Sequence, residues 1–518
     1  MGPLSHDMLS DVASSVAQVL AEAGSQSLKR KRFPADLPGV LLFTVLGFLV
    51  MGYHPGLEDD TIYLAAVKSD LNPALYPYNS DFFRLQMEAT AFDSGMAAFV
   101  RWTHVPLAWA ELLWQLMALF LILWAVKKIA DRLFVEAAVR WGGVAMVAAM
   151  FTLPVTGTAL YMVDQHLHPR SLATAMILLA VWRVFDQKRW QAAALLTAAF
   201  LLHPLMAAMG ISFCFILSLV LMEPVPERIR AWRSSVAAAV PLGWVFEPAV
   251  PGWRKALDTR TYYYLYKWTW YEWLGALAPL LLFWLLWRVA RKRGETKLAR
   301  FALAVLIYGT LQQTLAMVVL WPASLVRLAP LQPMRYLHLL YFLFVLVAGC
   351  LLGKFVLKRE AWRWAVFLLA ANGCMFAWQR AEFAASRHLE LPGRAPANEW
   401  LQAFAWVRTN TPVDAYFALD PHYMQAPGED YHGFRALAER SQLADAVKDA
   451  AVVTMVPELG AAWERQVEAE KGWRGFKAAD FERLKAEFGV DWALVDTSQT
   501  AGLDCRWHNR LLAVCRIP

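Results

Sequence analysis

A polytopic, all-α membrane protein with a small α/β domain at its C-terminal end is the fold class this sequence predicts. Three observations predict it. The 518 residues are 58% hydrophobic and only 18% charged, whereas a soluble chain is nearer a quarter charged. Apolar runs of about twenty residues, enough to span a hydrocarbon core, recur between Leu37 and Trp378, and many of the 25 Trp and 16 Tyr gather at their ends like an interfacial belt. Residues 379–518, by contrast, have an ordinary soluble composition. The net charge of +7 sits mostly in short loops, where it sets orientation; it is no footprint of nucleic acid.

Residues 1–36 read as a cytoplasmic N-terminal segment ending in "LKRKRF". Val12, Val16 and Leu20 at i, i+4, i+8 suit either a short amphipathic helix or a frayed tail. The apolar run behind them lacks an A-x-A site and reads as an uncleaved anchor. The transmembrane domain covers 37–378, with candidate spans at 37–53, 106–126, 141–163, 170–183, 190–203, 205–222, 235–247, 271–289, 299–321, 335–356 and 362–378, about eleven in all. Basic clusters at 29–32, 127–132, 183–189, 228–233, 288–300 and 354–363 mark cytoplasmic loops. Both flanks of 190–222 are basic, so that run must turn back, and Pro204 in "LLHPLM" is where a helix breaks. Parity then puts 54–105, 164–169, 248–270, 322–334 and the tail 379–518 on the outer face. In the tail, "ANEWLQAFAWVRTNTP" and "FERLKAEFG" read as helices, and "DAYFALD", "AAVVTMV", "DWALVDT" and "LLAVCRI" as strands. Cys505 and Cys515 flank a short apolar hairpin and are candidates for a disulfide in an oxidising compartment.

Polar clusters in the outer segments carry the chemistry. "HPGLEDDTIYL" places Glu58, Asp59 and Asp60 directly after the first span. The helix dipole favours one or two acids in a first turn; three in a row beside a bilayer suit a base or a cation site. Asp81 is either a substrate contact or the cap of a helix over 82–103. The loop "MVDQHLHPRSL" offers Asp164, His166 and His168 as substrate or metal ligands and Arg170 at a helix start, a natural anion site. Arg335 and His338 lie at i, i+3 on the outer end of a late span and would meet a lipid phosphate. Trp270 and Tyr271, in "TRTYYYLYKWTWYEWLG", are interfacial belt or a stacking platform for sugar or lipid. No nucleotide-binding motif accompanies them.

An acidic cluster after the first span, a second acidic loop after the third, short re-entrant helices and a terminal external domain together resemble the GT-C superfamily, the membrane glycosyltransferases fed by polyprenyl-phosphate-linked sugars. The likeness covers most of 37–378. "GLEDDTIYLAAVKSDLNPALYPYNSDFF", "DQHLHPRSLA" and "LLHPLMA" also look like a group of bacterial membrane proteins with this layout. The resemblance implies transfer of a sugar to a glycan, lipid or protein acceptor at the external face of a bacterial inner membrane. Asp60, Asp59 or Glu58 would act as catalytic base, and Arg335, with His338 and Arg170, would hold the lipid phosphate. It also implies a divalent metal, magnesium or manganese, near Asp164; but the second loop has no D-x-D or D-x-E, so the motif does not require one. Two readings outside this class are a lipid or polysaccharide flippase and a non-catalytic envelope-assembly component. The first would need a second broken helix to partner "LLHPLM".

Overall fold

Helices dominate residues 36–222 and 250–518, which are those the computed structural model describes. The basic clusters at 29–32 and 228–233, the stretch around Val16 and the candidate span 235–247 lie outside the described residues. Met1–Leu42 and Phe43–Pro518 are two units, and α1 (Leu37–Met51) runs through their boundary.

Residues 54–105 hold α2 (Asp60–Leu71), α3 (Asp81–Met87) and α4 (Phe92–Thr103). The single helix expected over 82–103 is therefore two, and Asp81 is the exposed first residue of α3. The helical domain continues with α5 (Leu107–Leu133), α6 (Ala137–Ala149), α7 (Pro169–Phe185), α8 (Arg189–Leu202) and α9 (Pro204–Leu221). From residue 250 on come α10 (Pro251–Asp258), α11 (Trp270–Lys292), α12 (Thr296–Leu320), α13 (Tyr336–Leu352) and α14 (Ala361–Glu382). By length and composition, five helices among the described residues can cross a membrane: Leu107–Leu133, Pro204–Leu221, Trp270–Lys292, Thr296–Leu320 and the extended segment Pro333–Leu357. Leu37–Met51, Ala137–Ala149 and Arg189–Leu202 are apolar but shorter, so length and composition do not establish the eleven spans expected.

The expected span 141–163 stops at Ala149. A small antiparallel hairpin follows, β1 (Pro154–Val155) with β2 (Leu160–Tyr161). Pro154 cannot donate to a helix, and Gly157 turns the chain at φ +61°. The Trp268 ring lies within 2.5 Å of where a Gly157 Cβ would stand, so only glycine fits. Helix packing also uses small residues: α6 and α13 cross so closely that a Cβ on Gly142 would sit 2.4 Å from the Gly349 carbonyl oxygen. Interhelical hydrogen bonds support the bundle, from Gln312 Nε2 to Ser212 Oγ (2.9 Å) and from the Tyr336 hydroxyl to Gln313 Oε1 (2.7 Å).

The C-terminal region holds α15 (Glu399–Asn410), β3 (Tyr416–Ala418), α16 (Phe434–Ala438), β4 (Ser441–Gln442), α17 (Lys448–Met455), α18 (Gly460–Ala469), α19 (Ala478–Phe488), β5 (Trp492–Asp496), β6 (Asp504–His508) and β7 (Leu512–Arg516). The sheet order is β4-β3-β5-β7-β6, with β3 parallel to both β4 and β5 and the other two pairings antiparallel. Period-two alternation feeds two cores. Phe417, Leu494, Leu512 and Val514 pack under α15, while Tyr416, Ala493, Val495 and Ala513 pack under α19. "AAVVTMV" is not a strand but the body of α17, since a short apolar run fits a buried helix equally well. Cys505 and Cys515 face each other across β6 and β7 and are disulfide-bonded.

Residues 54–105 pack against this region. Tyr76, Phe82 and Phe83 are buried, Tyr76 donates to the Arg435 carbonyl (2.9 Å), and Lys68 binds Glu439 (2.7 Å).

Candidate active site

Backbone geometry at "HPGLEDD" explains where its acids point. Pro55 and Gly56 end the chain's run from α1, and Gly56 and Glu58 take positive φ (77° and 51°). The loop is then pinned from two sides. His54 N–H donates to the Gln165 carbonyl (2.8 Å). On the other side Glu58 N–H donates to the Tyr431 carbonyl (2.9 Å), and Gly433 N–H to that of Gly56 (2.8 Å). α2 begins at Asp60, two residues after Glu58. Successive acids therefore diverge: Glu58 and Asp59 face a cavity of about 1140 Å³, and Asp60 turns inward.

The cavity joins most of the residues singled out in the sequence. Glu58, Asp59, Asp164, His166, His168, Arg170, Tyr271 and Arg335 all line it. Part of it is acidic. Lys448, the first residue of α17, bonds Glu58 and stands 2.9 Å from Asp59 Oδ1. His168 Nε2 is 3.4 Å from Asp59 Oδ2, and its Nδ1 accepts the Arg170 backbone N–H (2.9 Å), so the ring proton sits on Nε2 and points to Asp59. Burial pushes the His168 pKa down to about 4, Arg170 adding to it; the ring is neutral at pH 7. Burial alone would raise Asp59, but Lys448, His168 and Arg170 together hold it well below the usual carboxylate range. Its side chain is 37% exposed, and that edge opens into the cavity it lines.

Next to these acids, basic groups gather at two helix starts of the same design. His168-Pro169 opens α7 and His203-Pro204 opens α9, each His capping with its side chain and each Pro in the first turn. The two imidazoles lie stacked, 6.0 Å between centroids. Arg170 Nη2 stands 2.8 and 2.9 Å from the two Asp164 oxygens, leaving its Nε and Nη1 without acceptors. Asp164 is lowered to about 2: burial would raise it, but Arg170 and the two histidines outweigh that. Arg335 Nε donates to Gln332 (2.6 Å), and its Nη1 is 3.3 Å from His203 Nε2. His203 Nδ1 lies 3.5 Å from the Met206 N–H, and its Nε2 can accept from Arg335. The Arg335 charge and the two helix N-termini make this part of the cavity favourable to an anion.

Among solved structures, archaeal oligosaccharyltransferases are similar to this chain. One is the oligosaccharyltransferase of Archaeoglobus fulgidus in complex with Zn and sulfate; identity is 12%, the match covers 89% of this chain and 68% of that one, and the TM-score is 0.39. Its apo form gives 11% identity, 90% and 70% coverage and a TM-score of 0.39. The archaeal oligosaccharyltransferase AglB from Archaeoglobus fulgidus, in complex with an inhibitory peptide and a dolichol-phosphate, gives 14%, 89% and 58%, with a TM-score of 0.22. No family model and no curated protein matches the chain.

Four sequence candidates fall outside the cavity. Asp60 is 2% exposed and accepts the Gly56 N–H (2.6 Å); burial raises its pKa, so it braces the turn that aims its neighbours. His338 is buried with Nε2 2.9 Å from the Met162 carbonyl oxygen and does not line the cavity. Asp81 is exposed at the start of α3, and Trp270 is 76% exposed on the outer face of α11, as an interfacial residue would be. Asp164, His166 and His168 do not converge as metal ligands: Arg170 takes the Asp164 carboxylate, Asp59 and Arg170 take His168, and both His166 nitrogens are without partners. Lys448, His203, Arg260 and Tyr263 also line the cavity; the sequence reading gives Lys448 no role, His203 only a place at a helix break, and Arg260 and Tyr263 only a place in the aromatic stretch 259–275. For His203 a signal existed: the second His-Pro repeats the first.

Proposed function

We propose that the chain is a membrane glycosyltransferase that moves a sugar from a polyprenyl-phosphate carrier to a hydroxyl-bearing glycan, lipid or protein acceptor at the outer face of a bacterial inner membrane. The observation that carries this reading is one cavity lined by both the acids Glu58 and Asp59 and the basic groups Arg335 and His203 near the α7 and α9 starts. A lipid phosphate fits the basic groups as a leaving group. An acceptor hydroxyl fits the acids. In the step, the acceptor oxygen bonds to the anomeric carbon as that carbon's bond to the phosphate oxygen breaks. The bonding electron pair stays on the phosphate, where Arg335 and His203 stabilise it, and the hydroxyl proton passes to Asp59.

A base with a depressed pKa is weak, but it stays ionised, and it gains strength as the hydroxyl becomes acidic late in bond formation. Lys448 neutralises part of the Glu58/Asp59 pair, so a divalent ion at that pair would have to displace it. Tyr262, Tyr263 and Tyr271 supply apolar faces for sugar or isoprenoid.

The experiment is transfer of radiolabelled sugar from polyprenyl-phosphate donors by protein in lipid nanodiscs. Transfer by the native chain, lowered about a hundredfold in Asp59→Asn and needing roughly tenfold more donor in Arg335→Ala, supports the reading. Carrier movement across the bilayer that is insensitive to both substitutions would overturn it in favour of a flippase.

A further inference from the structure

We infer that His54, Glu390 and His432 form a binding site for a divalent transition metal ion, zinc in the first place, that clamps the C-terminal region to the acidic loop. His54 Nδ1 and His432 Nε2 stand 3.2 and 2.9 Å from the same oxygen, Glu390 Oε2, and the three atoms lie within 4.8 Å of one another. Both histidines are fully buried and the Glu390 side chain is 13% exposed. Ligands held about 2.0–2.2 Å from a tetrahedral zinc ion stand roughly 3.3 Å apart, so small shifts admit the ion.

The hydrogen bonding around His432 calls for a cation. Its Nδ1 lies 3.1 Å from the Glu429 carbonyl oxygen, an acceptor only, so Nδ1 carries a hydrogen. The neutral ring then turns an Nε2 lone pair toward a carboxylate lone pair at 2.9 Å. Either a second proton or a metal ion must lie between them. Ring nitrogens fixed by a backbone carbonyl on the far side are the usual setting of a ligating histidine. Two imidazoles and a carboxylate are a donor set suited to zinc, with water as the fourth ligand.

The three ligands come from three separate segments: the residues after α1, those after α14, and the turn before α16. Backbone bridges join Tyr53 to Leu389 and Leu57 to His432. The ion would therefore fasten the "HPGLEDD" loop, four residues before Glu58, at a site separate from the cavity and independent of the reaction assigned to it.

The test is metal analysis of the native full-length protein in detergent, incubated with zinc chloride and washed free of excess. About one zinc per chain is expected, falling at least tenfold in Glu390→Gln and in His432→Gln while His166→Gln keeps it. If a His432 variant fails to fold, His54→Gln reads the same site. Folded native protein that retains no stoichiometric zinc, or zinc lost with His166→Gln and kept with Glu390→Gln, would overturn the proposal; in the first case a proton holds His432 and Glu390 together.

Discussion

Asp59 and Asp60 are consecutive residues in opposite environments. Asp59 faces the cavity, flanked by Lys448 and His168, and is held ionised. Asp60 faces the interior, and burial favours its protonated form. The one-residue step into α2 separates them, and the lesson is that a run of acids is not a unit. Its members can divide between a chemical task and a structural one, and only the backbone phase decides which does which.

Substitutions sharpen that division, the largest effect first. Asp59→Asn removes the proposed base and is expected to lower sugar transfer by about a hundredfold or more, within the usual contribution of general base catalysis, while Asp60→Asn stays within a few fold; equal losses in both would erase the distinction. Arg335→Ala and His203→Gln act at the basic groups of the cavity, and about tenfold weaker use of the lipid-phosphate donor is expected from each, read as a rise in KM. Lys448→Met leaves Glu58 and Asp59 without their shared cation. Breaking a fully buried pair costs about 3–5 kcal/mol, but these acids are 39% and 37% exposed, so screening reduces the expected loss to roughly 1–2 kcal/mol in chemical denaturation.

The pH dependence should separate the two acids by sign. Asp59 is depressed in the fold, so its contribution is present above the unfolded carboxylate pKa and lost as pH falls through the folded value. Asp60 is raised, so the fold binds a proton that the unfolded chain releases, and stability falls as pH rises from the unfolded pKa through the folded one. Asp60→Asn should therefore gain stability over the native chain as pH rises above about 4, whereas the deficit of Asp59→Asn should shrink only as pH falls below about 4, in thermal unfolding across both ranges. The smallest effect on activity belongs to Cys505→Ser with Cys515→Ser: removal of the β6–β7 crosslink should cost about 2–3 kcal/mol of stability and leave transfer unchanged.

Much of this was legible in the sequence, and the failures have physical causes. Apolar runs gave the helices, and Pro204 gave the break between α8 and α9. The hairpin after α6 was hidden because "FTLPVTGTALYMV" is apolar enough to pass for a span, although Pro154 and Gly157 argue against a helix. α17 was read as a strand because periodicity cannot separate short apolar runs. Lys448 meets Asp59 across 389 residues, a contact no local pattern encodes, and the same holds for His54 with Glu390 and His432. The fate of Asp59 against Asp60 depended on φ at Gly56 and Glu58, which a run of three acids does not reveal.

The central claim, that one cavity holds a phosphate at its basic groups and the reacting hydroxyl at its acids, is tested most directly by a cryo-EM structure with a non-transferable polyprenyl-phosphate-sugar analogue. The account predicts the phosphate between Arg335 and His203, within about 3 Å of their donors, and the sugar's anomeric carbon turned toward Asp59. A phosphate bound elsewhere, or a sugar facing away from Glu58 and Asp59, would contradict it.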